Sequence, residues 1–256
     1  MSFNGPVTPL DRRAALRAAA AGVLATGCTD SRPPRSAGNS PAPPGTAPTP
    51  SRAAAPRLPG QVEHGPRDRP RVALTFHGQG APALADALLA EAERAGARLT
   101  VCAVGTWLDA YPELARRVLD GGHELGNHTQ HHVDICSLPA DAAQDEITAC
   151  ADRLRRLTGS VGAWFRPSRA RLATPLVRRL ARRAGYPHCL AYDLDSRDHT
   201  DPGSAAVVRT VLDGIRPGSV VSLHLGHAGT VAAMPALLDG LHHRGLHAVT
   251  ATELMA

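Results

Sequence analysis

Hydrophobic periodicity begins at about residue 71 and is missing before it. From Arg71 onward, short apolar runs alternate with amphipathic stretches, which read as strands and helices respectively. Val72 to Phe76 predicts a strand, Pro82 to Ala95 a helix, Leu99 to Val104 a strand and Pro112 to Leu119 a helix. Glu124 to Asn127 is a brief strand, Ala140 to Leu157 a long helix, Ala163 to Phe165 a strand, and Pro175 to Ala184 a helix with arginines on its outer face. Cys189 to Tyr192, Ser204 to Leu212, Ser219 to Leu223, Pro235 to Arg244 and His247 to Val249 complete the alternation. About seven strand and helix units joined by short loops imply an α/β fold, and a single distorted (β/α) barrel suits them better than an open sheet.

Polar residues fall at the ends of these strands. His77, His128, Arg166, the pair Asp193 and Asp195, and His224 each follow an apolar run. In a barrel the C-terminal strand ends converge on one face, where catalytic groups sit. The densest stretch is Gly126-Asn127-His128-Thr129-Gln130-His131-His132. His128 and His132 stand four apart, so a helical turn or a tight loop aims both at one point, while His131 points elsewhere. Imidazole suits zinc and its neighbours, and a catalytic site takes three protein ligands and leaves one position open. Two ligands are visible here, and a solvated, histidine-rich turn has the same spacing.

The first seventy residues add no core, so residues 71–256 form one domain. Residues 1–28 read as a twin-arginine-like lipoprotein signal peptide: Arg12-Arg13 with Leu16-Arg17, an apolar stretch, then Ala25-Thr26-Gly27-Cys28. Leu24 stands one place further from Cys28 than a lipobox usually has it. Residues 29–70, rich in Pro, Ala and Ser, read as a disordered linker. The expected location is the outer face of the cytoplasmic membrane or the cell wall, through a lipid anchor at Cys28, or otherwise secretion.

Charge and cysteine content refine this only slightly. The net charge of +5 and a pI near 9.3 raise nucleic-acid binding, but no nucleic-acid motif accompanies them, and an anionic cell wall explains the charge. Aromatic residues make up 3% of the chain, too few for a broad sugar-stacking surface. Setting Cys28 aside leaves Cys102, Cys136, Cys150 and Cys189, which permit two disulfides in any of three pairings. Cys136 with Cys150 is the first pairing to check, since both flank one loop and helix. Cys102 lies in an apolar strand and reads as a small core residue.

Several short motifs in order resemble the polysaccharide deacetylases, the NodB-homology domain of carbohydrate esterase family 4, from about Arg71 to Leu254. Gly121-Gly122-His123-Glu124-Leu125-Gly126-Asn127-His128-Thr129 is similar to that family's approach to its metal motif. Trp164-Phe165-Arg166-Pro167, Asp195-Ser196-Arg197-Asp198 and Pro217-Gly218-Ser219-Val220-Val221-Ser222-Leu223-His224 are similar to its later motifs. The resemblance implies a monomeric, metal-dependent hydrolase that removes acetyl groups from an N-acetylated or O-acetylated cell-wall polysaccharide such as peptidoglycan or chitin oligomers. It assigns a divalent metal, zinc by preference, to His128 and His132. By the same resemblance Arg166 orients the base, the Asp195-to-Asp198 motif lines the groove and supplies a carboxylate that tunes the catalytic histidine, with Asp195 counted as catalytic, and His224 is the general acid. Arg169, Asp198 and Leu223 are expected to bind substrate, with a backbone N–H near Arg169 at the oxyanion.

The first motif departs from this pattern. Thr75-Phe76-His77-Gly78-Gln79-Gly80 stands where the family usually has Thr-Phe-Asp-Asp-Gly, whose first Asp is the base and whose second completes the metal site. Ser168-Arg169-Ala170 replaces Pro-Tyr-Gly, and His199 stands in place of an aromatic groove residue. Three readings follow. His77 is the third metal ligand, with Asp195 or Asp198 as base or the metal-bound hydroxide acting alone; or His77 is itself the base, with the metal held by two histidines and waters; or the site is inert and the domain is a tethered glycan-binding module.

Overall fold

A computed structural model of the chain describes residues 58–256. The expected signal peptide, the expected lipid anchor at Cys28 and the expected linker as far as residue 57 lie outside the described residues. In chain order the elements are β1 (Gln61–Val62), β2 (Arg71–Gly78), α1 (Pro82–Arg94), β3 (Thr100–Ala103), α2 (Gly105–Ala110), α3 (Glu113–Asp120), β4 (Glu124–Asn127), α4 (Ala140–Thr158) and α5 (Pro175–Arg183). There follow β5 (Cys189–Leu190), β6 (Leu194–Asp195), α6 (Ser204–Gly214), β7 (Val220–His224), α7 (Ala228–His243), β8 (His247–Ala248) and α8 (Ala251–Met255).

All the strand ladders are parallel, in the order β4-β3-β2-β7-β6, with β8 on the start of β2. Beyond β4 the pairing continues through Phe165, which bridges Asn127 and Cys189, and then from β5 to β1. An antiparallel bridge from His64 to Ser219 brings the chain after β1 back beside β7. The result is a distorted α/β barrel whose strands all end toward one rim; β5 and β6 are joined by chain and not by a ladder.

Strand alternation sorts the side chains into two sets. Val72, Leu74, Phe76, Val101, Val221 and Leu223 share a core with Leu88 and Leu89 of α1 and Leu237 of α7, so they face the helices. Ala73, Cys102, Trp164, Leu190 and Val220 share another core with Leu254 of α8, so they face the barrel interior. Leu223 was expected to bind substrate and does not reach the cleft. Its period places it outward, fully buried, between Ser222 and His224, which point in.

Three expected boundaries shift. The linker does not run to residue 70, because Val62 is buried and pairs with Leu190. A two-residue strand has no period to read, and its order comes from a partner distant in sequence. The strand expected at Ala163 to Phe165 reduces to the single bridging residue Phe165, since Pro167 follows and has no N–H to extend a ladder. α7 begins at Ala228 and has Pro235 inside it. Its buried stripe of Thr230, Met234, Leu237 and Leu241 continues across the proline, and that packing outweighs the lost backbone bond.

The four cysteines among the described residues are free thiols. Cys136 and Cys150 do not pair: the Cys150 thiol lies against Ala103 O in the main core, while Cys136 packs in a separate cluster beside Cys189. No described helix is long and apolar enough to cross a membrane.

Candidate active site

Parallel registry brings β2 and β7 together at the rim, with Thr75 beside Ser222 and His77 beside His224. Each pair shares the inner face, so the His77 and His224 rings stack at 4.3 Å with 15° between planes. His77 Nδ1 lies 2.7 Å from His128 Nε2, and His77 Nε2 lies 2.9 Å from Ser222 Oγ.

The segment after β4 makes a left-handed loop and no helical turn. Thr129 and His132 have φ of 67° and 55°, a region that non-glycine residues adopt only where neighbours hold them. Those neighbours are present. Asn127 Oδ1 accepts the Thr129 N–H at 2.8 Å, and Thr129 Oγ1 accepts the His132 N–H at 3.2 Å. Asn127 is itself buried, and its amide donates to Ile147 O at 2.9 Å. The loop sets the His128 and His132 rings 4.8 Å apart. It turns His131 outward, onto Glu146 at 2.6 Å.

Ring nitrogens of His77, His128 and His132 all lie within 4.8 Å of one another. Burial first, then the neighbouring His128, the Arg166 guanidinium, His224 and His132, hold His77 well below the usual imidazole value. Burial and then His132 do the same to His128, and burial with Arg169 and His224 lowers His132. Neutral imidazoles are the form that binds a metal. His128 Nδ1 donates to Arg166 O at 2.9 Å, which leaves Nε2 facing the cluster. The donor set fits a soft-to-borderline divalent ion such as zinc, with three ligands and an open side. Gly78, the position where the resemblance would put a third ligand, has no room for one: a Cβ there would lie 2.9 Å from Ala103 Cα and 2.7 Å from Val101 Cγ1.

Beside the cluster, His224 Nδ1 bonds Asp198 Oδ1 at 2.7 Å. Asp198 Oδ2 accepts from the His224 N–H and from the Thr230 hydroxyl, both at 2.7 Å. Burial pushes Asp198 up, but the His224 bond and charge and the Thr230 bond outweigh it, and its carboxyl sits below the usual range. Asp198, which was expected to bind substrate, is thus the carboxylate of its motif that meets the histidine. Asp198, and not Asp195, tunes the histidine, because the turn after Arg197, at φ 59°, directs Asp198 inward. Asp195 lines the cleft with Arg169, Tyr192 and His199, and its carboxylate accepts from Arg197 N at 2.9 Å.

Arg166 is fully buried, yet its side chain does not bond a base as expected. Nη2 donates to Thr75 Oγ1 at 2.7 Å and to Ala191 O at 3.2 Å, and Nε donates to Leu190 O at 3.2 Å. Nη1 has no partner among the described residues. With His77 in place of a carboxylate, the guanidinium lacks a counter-ion, and burial lowers its pKa. Ser222 was not singled out from the sequence. The available signal was one hydroxyl in an apolar strand, two positions before His224 and so on its face.

The family model described as polysaccharide deacetylase matches residues 64–189. A chitooligosaccharide deacetylase from a Bradyrhizobium species is 31% identical over 57% of this chain and 73% of its own length. A peptidoglycan-N-acetylglucosamine deacetylase from Bacillus cereus is 28% identical over 74% of this chain and 90% of its own. Among solved structures, a carbohydrate esterase family 4 pseudoenzyme from Bacillus anthracis superposes with a TM-score of 0.74 at 20% identity, covering 78% of this chain and 70% of that one. The matched stretch contains His77 and the paired histidines of the rim, and the identity to the Bradyrhizobium protein extends across most of that relative. The chain belongs to the polysaccharide deacetylase family.

Proposed function

We propose that this protein is a metal-dependent hydrolase that removes acetyl groups from an N-acetylated or O-acetylated cell-wall glycan such as peptidoglycan or chitin oligomers. The carrying observation is the convergence of His77, His128 and His132 beside the His224–Asp198 pair. His77 is then a third ligand in place of the missing carboxylate. A zinc ion held there would polarise the acetyl carbonyl and acidify water.

The chain's own groups supply the rest. Asp198 occupies His224 Nδ1, so Nε2 is the ring atom available to pass a proton to the departing sugar amine or alcohol. Asp198 is closed off as a base because both its oxygens are bonded. Asp195 is the cleft carboxylate left to take a proton from water. Arg169, exposed at the mouth, is placed to meet substrate. Export and lipid anchoring at Cys28 would put this site at the wall.

A second reading, a tethered glycan-binding protein with little or no turnover, draws on one observation. Among the described residues no carboxylate bonds the three histidines or the Arg166 guanidinium, so the centre lacks the negative charge that would offset a divalent ion. Acetate release from a panel of N- and O-acetylated glycans, with and without chelator, separates the two. Chelator-sensitive release supports the hydrolase; metal-independent glycan retention without acetate supports the binding module.

A further inference from the structure

We infer that Ser222 is a positioning residue that fixes which nitrogen of His77 faces the other two histidines; this rests on the three-histidine site proposed above. The sequence of contacts starts at His128. Its Nδ1 lies 2.9 Å from the Arg166 carbonyl, which only accepts, so Nδ1 bears the hydrogen and Nε2 a lone pair. His77 Nδ1 lies 2.7 Å from that lone pair. With no cation between them, His77 Nδ1 must carry a hydrogen to donate there. Its Nε2 is then bare, and the Ser222 hydroxyl, 2.9 Å away, donates to it.

With a cation between the histidines the pattern reverses. His77 Nδ1 gives its lone pair, the ring hydrogen moves to Nε2, and Ser222 Oγ accepts it without the ring turning over. A hydroxyl can do both, being donor and acceptor at once. Stacking on His224 at 4.3 Å fixes the plane of the His77 ring but not which edge faces His128. Ser222 is 2% exposed, and its hydroxyl is the protein group that bonds His77 Nε2 among the described residues, so Ser222→Ala removes that bond in either state. An outer partner of this kind is commonly worth about 10–100-fold in metal affinity.

The test adds cobalt(II) to the chelator-treated full chain and follows calorimetry and the visible ligand-field spectrum. Ser222→Ala is expected to bind cobalt at least about 10-fold more weakly with an altered spectrum, and Ser222→Thr, which keeps the hydroxyl, to recover most of the affinity. Nitrogen-15 NMR of the metal-free wild-type protein is expected to show the His77 hydrogen on Nδ1, a measurement that needs no variant to fold. Hydrogen on Nε2 in that state overturns the inference. Equal cobalt affinity and spectrum for wild type and Ser222→Ala also overturn it, while leaving the metal site standing. A wild-type protein that binds no cobalt overturns both.

Discussion

Two groups of histidines share one rim and differ in their counter-charge. His224 has the buried carboxylate of Asp198, held in turn by Thr230 and by the His224 backbone. His77, His128 and His132 have a carbonyl, a hydroxyl and a buried arginine around them instead. The first group has its ring fixed by a carboxylate at Nδ1, with Nε2 left unbonded among the described residues. The second is built to stay neutral, which is what ligation needs. On the function proposed above, the first group is the proton-transfer half of the site and the second its metal half, with a third imidazole where the family usually has a carboxylate.

The largest effect expected from dividing the rim this way falls on Asp198. Asp198→Asn is expected to lower acetate release by about 10²–10⁴-fold while cobalt affinity stays within a few-fold of wild type. Parallel loss of both would break the separation between the two halves. Next comes Leu223, which faces the helices. Leu223→Ala is expected to cost about 2–5 kcal/mol of stability in denaturant titration, with glycan affinity of the folded fraction unchanged. Weakened glycan binding without lost stability would return Leu223 to the cleft. Gly78→Asp, the change that would restore the usual third ligand on paper, is expected to cost about 1–3 kcal/mol by overpacking against β3 and to add no metal affinity.

The smallest effect is in pH, and it distinguishes the two groups directly. For the histidine cluster the folded pKa values lie below the unfolded value of 6.5. As pH falls below 6.5 the unfolded chain takes up protons first, so stability declines from there downward. Asp198 is also depressed, relative to 3.8, so its stabilisation is complete above that value and is lost only as pH falls below it and through its folded pKa. Thermal melts of the chelator-treated protein from pH 8 to pH 3 should show two separate declines, and His77→Ala should shrink the upper one only.

Much of the fold was legible because strand and helix periods are local. Glu124 to Asn127 is a strand as read, and the helices beginning at Pro82, Ala140 and Pro175 start where their prolines or caps place them. β1 and β6 were not legible, because two residues show no period and gain order only from partners. Within the site, His128, His132 and His224 could be read from motif and strand end. Which of Asp195 and Asp198 meets His224 could not, since it depends on a single left-handed residue, Arg197, in the turn between them.

The sequence alone determined the barrel class, the rim and the loss of both first-motif carboxylates, since these follow from period and residue identity. Only the tertiary structure decided that His77 joins His128, that Leu223 faces away, that Gly78 is hemmed in by β3, and that Ser222 faces the His77 ring. Those outcomes depend on the register between β2, β3 and β7, and register is set by the packing of whole faces, which no single stretch of sequence contains.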